Sequence, residues 1–257
     1  MAYLFADTDL AAHRLKLLAN VFAASTRSFM QDAVDEQIQS AVDLGCGPGY
    51  TTHLLADILQ AERVVGLDAS EHFIELARAS STARVTFYQH DVTAVPFPIE
   101  PANLLSCRFL LTHLREPQAV IARWATQLQP GGLLLMEEVE QIHSSNTLFT
   151  TYLKIQATLL GHQANQLYIG PVLNALSDST LLRRRASRLL SYPVSTTHAA
   201  TLFFLNIQTW KHHPFIQQHY APSLMDQIEE DLHTLSETGH DQGDIEWEMR
   251  QIAFARS

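Results

Sequence analysis

In Val42-Asp43-Leu44-Gly45-Cys46-Gly47-Pro48-Gly49-Tyr50 an apolar run ends in three alternating glycines, in a chain that holds only ten. Absent side chains let a ligand approach the main chain where such a turn opens a helix. Asp68 follows Gly49 by 19 residues, at the end of a second apolar run, where a carboxylate accepts hydrogen bonds from both hydroxyls of a ribose. A dinucleotide fingerprint needs Gly or Ala at the sixth position of G-x-G-x-x-G, and here that position is Tyr50. A third acid, Asp91, follows a third apolar run. The bland readings are that Asp68 caps the helix at Ser70 and that Asp91 closes a turn.

These residues need strands that end where the acids begin. Ala41–Leu44, Arg63–Leu67 and Arg84–Tyr88 read as short buried strands, with helical spacing over Tyr50–Leu59 and Glu71–Ser80 between them and Ser70 as an N-cap. Strand and helix alternating in this way require right-handed crossovers and a parallel sheet. Leu104–Cys107 continues it, a helix is expected over Gln118–Leu128, and Leu133–Met136 forms a fifth strand after the Pro130-Gly131-Gly132 turn. The α/β core is therefore expected over 37–140.

Residues 1–36 read as an N-terminal helical lid, with apolar spacing from Asp9 to about Asp32. Residues 141–257 read as a helical cap. Helical stretches are expected over Ser144–Ala164, Pro171–Leu176, Ala199–Trp210 and Leu224–Leu235. Ser187–Val194 and Ile245–Ala255 are expected as terminal strands, the last after an Asp241-Gln242-Gly243 turn.

The segments Val42–Tyr50, Val65–Ser70, His90-Asp91-Val92 with Pro96-Phe97, and Leu128–Leu135 together resemble the class I S-adenosylmethionine-dependent methyltransferases, and in family order. The resemblance implies one α/β Rossmann-like methyltransferase domain. Its mostly parallel seven-stranded sheet, helices on both faces, would have an antiparallel last strand, N-terminal helices and a helical cap insertion. It implies S-adenosylmethionine as cofactor, with Gly45, Gly47 and Gly49 against the methionine and Asp43 ordering its ammonium directly or through water. Asp68 would take the ribose and Ala69 lie beside the adenine. Asp91 would accept from the adenine amino group while the Val92 amide donates to the ring, and Cys107 and Arg108 would lie near the methionine carboxylate and transferable methyl. Tyr3-Leu4 followed by Arg14-Leu15 is similar to an N-terminal segment that folds over the cofactor in methyltransferases of small metabolites. Arg14 would then pair with a carboxylate, or else be an exposed helical arginine.

Methyl transfer is an in-line displacement, so a protein aligns donor and acceptor, excludes water and adds a base only where the acceptor carries a proton. The candidate bases are His113, after the fourth strand, and Glu137, Glu138, Glu140 and His143, expected just after the fifth. Of these His113, Glu138 and His143 are the catalytic candidates. Ser106-Cys107-Arg108-Phe109 lacks the Asn/Asp-Pro-Pro-Tyr/Phe of the family's amide and base N-methyltransferases, and Leu104–Leu111 lacks the acidic ligands of its metal-dependent members. No metal is expected, and His212-His213 with His219 read as a polar helix end. Phe149, Tyr152, Tyr168, Phe203, Phe204 and Trp210 are candidates to line an acceptor pocket, or else core. Arg183-Arg184-Arg185 is either a solvated face or a site for an anion. Cys46 and Cys107 end strands that would be neighbours, either as buried thiols or as a redox pair.

With 17 basic and 27 acidic residues the formal charge is −10, which argues against a nucleic-acid partner. No run approaches the ~20 apolar residues of a membrane span, and two cysteines suit a reducing compartment. A cytoplasmic protein is expected, monomer or homodimer, transferring methyl to an O, N, C or S atom of a small-molecule acceptor. The alternatives are a catalytically silent cofactor-binding relative and a nicotinamide-dependent oxidoreductase.

Overall fold

The computed structural model describes residues 8–239 and 245–257. Two helices, α1 (Asp9–Val21) and α2 (Ala23–Ala33), precede the alternating units β1 (Ser40–Leu44), α3 (Tyr50–Leu59), β2 (Arg63–Asp68), α4 (Glu71–Arg78), β3 (Val85–Gln89), β4 (Ala102–Arg108), α5 (Pro117–Trp124) and β5 (Leu128–Ser144). Then come α6 (Thr147–His162), α7 (Gly170–Asn174), β6 (Leu182–Val194), α8 (Thr196–Trp210), α9 (Pro214–His219), α10 (Pro222–Thr238) and β7 (Ile245–Arg256). The seven strands form one sheet in the order β3-β2-β1-β4-β5-β7-β6. The first five are parallel, and β7 runs antiparallel to both neighbours. The order reverses at β1, and open α/β sheets bind ligands in the crevice this leaves beyond the strand ends.

Period-two alternation divides the parallel half into two cores. Ala41, Leu104, Leu133 and Leu135 belong to one, and Val42, Leu44, Leu105, Cys107, Leu134 and Met136 to the other. Cys46 lies in the first and Cys107 in the second, both as free buried thiols, and burial raises both thiol pKa values. The expected turn at Asp241–Gly243 lies outside the described residues.

The fifth strand is longer than its sequence signal. It continues from Leu128 to Ser144 because β7 pairs with it from Leu133↔Ala255 to Ser144↔Ile245. Beyond the parallel sheet, Val139 and Ile142 of β5, Val194 of β6 and Ile245, Trp247 and Met249 of β7 share a core with helices of the cap. Phe149, Tyr152, Phe203 and Trp210 are buried in that core, and Tyr168 and Phe204 pack against it. None lines the main cavity. Phe22, at the α1–α2 junction, enters the same core with its ring 5.1 Å from that of Phe109. The short α9 carries no long apolar repeat; Pro214 at its N-terminus and the His213 side chain, accepting from the Phe215 amide, define it.

Candidate active site

Between β1 and α3 the chain must reverse within a few residues. Gly45 makes this reversal in the left-handed region, φ +68°, while its amide donates to the Leu67 carbonyl at 2.8 Å. Gly49, φ +88°, starts α3, and a Cβ there would stand 2.7 Å from the Phe87 ring. The turn is thus held against β2 and β3 with its main chain facing outward. Asp68, at the end of β2, accepts from the Gly47 amide at 2.8 Å and from the Ser70 amide at 2.9 Å. Its helix-capping role and its role beside the glycine loop coexist, since a carboxylate has about four lone-pair directions.

A cavity of about 870 Å³ opens over these strand ends. Its lining includes Gly45–Pro48, Asp68, Ala69, Ser70, Asp91 and Val92, together with Arg14, Arg108, Phe109, Leu110, His113, Arg115 and Glu116. Asp91 accepts from the Thr93 amide at 2.9 Å and hydroxyl at 2.7 Å. Partial burial raises its pKa, and these two bonds outweigh that, leaving the carboxyl below its usual range. The groups suit a nucleoside joined to an amino acid: carboxylates near two strand ends, a side-chain-free backbone between them, and guanidinium groups in the same lining. Phe73, Thr51, Thr93, Arg115, Arg123 and Asn165 also line the cavity, and no spacing rule in the sequence marks them.

The sequence-based site residues are not all brought together. Arg14 is no exposed arginine: it is buried on α1 and lines the cavity. Asp43 lies behind the glycine loop, accepting from the Thr52 hydroxyl at 2.7 Å, and burial raises its pKa to about 7. Gly49 and Cys107 are likewise outside the cavity lining, the first because it faces Phe87 and the second because its alternation points it into the core. Tyr3 lies outside the described residues.

The expected bases also separate. Glu137, Glu138, Glu140 and His143 are not beyond the strand but within it, because pairing with β7 extends it. Glu138 is buried and absent from the lining; His143 is exposed near the far end of β5, with Nε2 3.2 Å from Glu248. Glu140 is held bidentate by Arg250 at 2.8 and 3.0 Å. His113 alone of these lines the cavity. Burial first, then the Arg14 charge, lowers its pKa to about 3, so the imidazole is neutral at pH 7.

A buried polar chain backs the site. Arg108 donates from Nη1 to the Thr26 hydroxyl at 2.7 Å and from Nη2 to Thr51 at 3.4 Å. Thr26 donates to Glu137 at 2.6 Å, and Ser25 and Gln251 also donate to that carboxylate. The N-terminal helices are thereby fixed to the sheet directly behind the cavity. The Arg183–Arg185 run has internal partners: Asp178 for Arg183, the α7 carbonyls Leu173 and Asn174 and the nearby Leu176 carbonyl for Arg184, and Asp35 for Arg185. His213 and His219 bond the main chain of Phe215, as a polar helix end requires. Among the described residues no group of three or more metal-ligating side chains is assembled, and no helix is long and apolar enough to cross a membrane.

The strand order, the glycine loop and the acids near successive strand ends are the arrangement that the resemblance in the sequence implies. Residues 41–132 match the family described as "Methyltransferase domain". The trans-aconitate 2-methyltransferase of Rhizobium leguminosarum bv. trifolii is 34% identical over 102 residues, 40% of this chain and 39% of that protein. The chain thus matches well under half the length of this curated relative. Coclaurine N-methyltransferase, solved with N-methylheliamine and SAH, superposes with a TM-score of 0.57 at 15% identity, covering 91% of this chain and 72% of that one. The [4+2]-cyclase SpnF superposes with a TM-score of 0.55 at 16% identity, covering 91% and 80%. Likeness at this identity establishes the fold alone.

Proposed function

We propose that this chain is an S-adenosylmethionine-dependent methyltransferase whose acceptor is a small organic anion. One observation carries this: the cavity lined by the glycine loop, Asp68 and Asp91 is also lined by Arg14, Arg108 and Arg115 with His113, in a chain of net charge −10. The name of the Rhizobium relative, a methyltransferase of a polycarboxylic acid, accords with an anionic acceptor.

In this reading Asp68 takes the ribose hydroxyls, Ala69, Asp91 and Val92 take the adenine, and the Gly45–Gly47 main chain lies against the methionine. The bound cofactor supplies an electrophilic methyl group on a sulfonium. The chain's own work is alignment and exclusion of water. Arg14 and Arg108 orient carboxylates at the inner end of the cavity, Arg108 prealigned by Thr26 and Thr51. A carboxylate acceptor has no proton to lose at neutral pH. That fits His113, whose pKa of about 3 makes it a hydrogen-bonding group rather than a base.

The test is calorimetric titration with S-adenosylhomocysteine, NAD and NADP, followed by methyl transfer to trans-aconitate and related di- and tricarboxylates read by mass spectrometry. Binding of S-adenosylhomocysteine alone, with gain of one methyl on a carboxylate, is expected. Binding of a nicotinamide nucleotide instead overturns the reading of Gly45–Tyr50. Cofactor binding with transfer only to neutral acceptors overturns the anionic class, and binding with no transfer favours a silent relative.

A further inference from the structure

We infer that Glu138 is a positioning residue that holds the turn after β4 as one wall of the cavity, through hydrogen bonds from the Leu110 and Leu111 amides to a single carboxyl oxygen, both 2.8 Å. The inference rests on the cavity being the cofactor and acceptor site.

The turn is where the wall is made. Arg108, Phe109, Leu110, His113, Leu114 and Arg115 line the cavity within eight residues of chain, and Glu138 does not reach it. The backbone there is irregular. Phe109 sits in the left-handed region, φ +54°, unusual for a bulky aromatic residue, so neighbouring contacts must hold it. Its amide donates to the Glu137 carbonyl at 3.2 Å, and the next two amides converge on Glu138. Three successive amides of the turn are thereby bound to two successive residues of β5.

Leu110 passes this constraint to the glycine loop. A Cβ at Gly45 would stand 2.7 Å from Leu110 Cδ1, so the leucine occupies the space over the glycine that faces the methionine end. Displacing the turn therefore moves Leu110 off Gly45 and shifts Arg108 and His113 together.

The chemistry of the buried carboxyl fits holding rather than proton removal. Burial raises its pKa to about 8; the two amides lower it, Glu137 beside it on β5 raises it, and Arg108 on β4 lowers it. Cys107 of β4 also feels its charge. On β7 the register partner is Arg250, whose guanidinium is taken by Glu140. Glu138 Oε1 accepts both amides, and its Oε2 is buried with no hydrogen-bond partner among the described residues. A glutamine keeps an accepting oxygen for the two amides, and a leucine removes it.

The test compares wild type, E138Q and E138L by NMR and by titration with S-adenosylhomocysteine. Wild type and E138Q should protect the Leu110 and Leu111 amides equally and bind with the same Kd at pH 7. E138L should exchange both amides at least tenfold faster and bind at least tenfold more weakly. In wild type the two amide resonances should titrate together near pH 8. In E138Q that step should vanish. Should E138L fail to fold, the comparison of wild type with E138Q still decides. The inference is overturned if E138L keeps protection and affinity, if E138Q behaves like E138L, or if the amides show no step in wild type. Failure of wild type to bind S-adenosylhomocysteine overturns the cofactor reading instead, while the amide measurements still judge the hold on the turn.

Discussion

Thr26 of α2 donates to Glu137 of β5 at 2.6 Å while its hydroxyl oxygen accepts from the cavity arginine Arg108 at 2.7 Å. One hydroxyl thus joins the N-terminal helices, the centre of the sheet and the wall of the cavity. The carboxylate is almost fully buried, so its charge is tolerated only because these donors surround it.

Glu137→Ala removes the acceptor and leaves the Ser25 and Thr26 hydroxyls and the Gln251 amide buried without it. Each buried donor left unsatisfied costs about 1–3 kcal/mol, so a loss of about 3 kcal/mol or more is expected by urea denaturation. Thr26→Val removes one hydroxyl and should lose about 1–2 kcal/mol. Equal stability in both variants would show that the network carries nothing.

Asp68→Ala should weaken S-adenosylhomocysteine at least tenfold, about 1.4 kcal/mol, by loss of charge-assisted bonds to the ribose. Calorimetry reads this directly. Unchanged affinity would move the nucleoside away from β2.

Gly49→Ala and Gly47→Ala should fail differently. A Cβ on Gly49 collides with the Phe87 ring at 2.7 Å, a rigid neighbour, so about 1–3 kcal/mol of stability should be lost. On Gly47, φ +52°, a Cβ strains the backbone and meets the end of Leu15 at 3.2 Å, and because Gly47 lines the cavity a loss of cofactor affinity should accompany the loss of stability. Thermal unfolding and calorimetry on the same preparations separate the two.

Two buried groups should give opposite pH slopes. His113 is held neutral with a pKa near 3, against 6.5 when unfolded, so the unfolded chain binds the extra proton. Stability is therefore lost as pH falls from 6.5 toward 3, by up to about 1.4 kcal/mol per pH unit, and His113→Gln should abolish that share. Asp43 behaves oppositely. Its pKa of about 7 against 3.8 unfolded means the folded chain keeps the proton, so stability falls as pH rises from 3.8 to 7. Asp43→Asn should remove that decline. Denaturation midpoints against pH, compared with wild type, check both signs.

The strand-and-acid pattern from Ala41 to Asp91 was legible because each strand is short, apolar and ended by a residue whose chemistry faces the ligand crevice. Glu137, Glu138 and His143 were misplaced for a different reason. Their strand is extended by pairing with β7, more than 100 residues later in the chain, and no local period records a partner so distant. The same limit hid the burial of Arg14, which packing against the rest of the fold creates. Cys46 and Cys107 looked adjacent from strand order, but alternation placed them on separate cores. The cap helices were readable as helices, not as walls: their aromatic residues satisfied the apolar period by filling a core.

β5 passes from the parallel half of the sheet into the cap without interruption, with Leu135 in one core, Val139 in another, and two buried acids between them. A protein assembled this way has no seam along which its cap could be exchanged as a module. Grafting another chain's cap here would bring along the strand, and with it Glu137, Glu138 and the aim of Arg108. The cavity must therefore be reshaped by altering side chains around an unaltered frame.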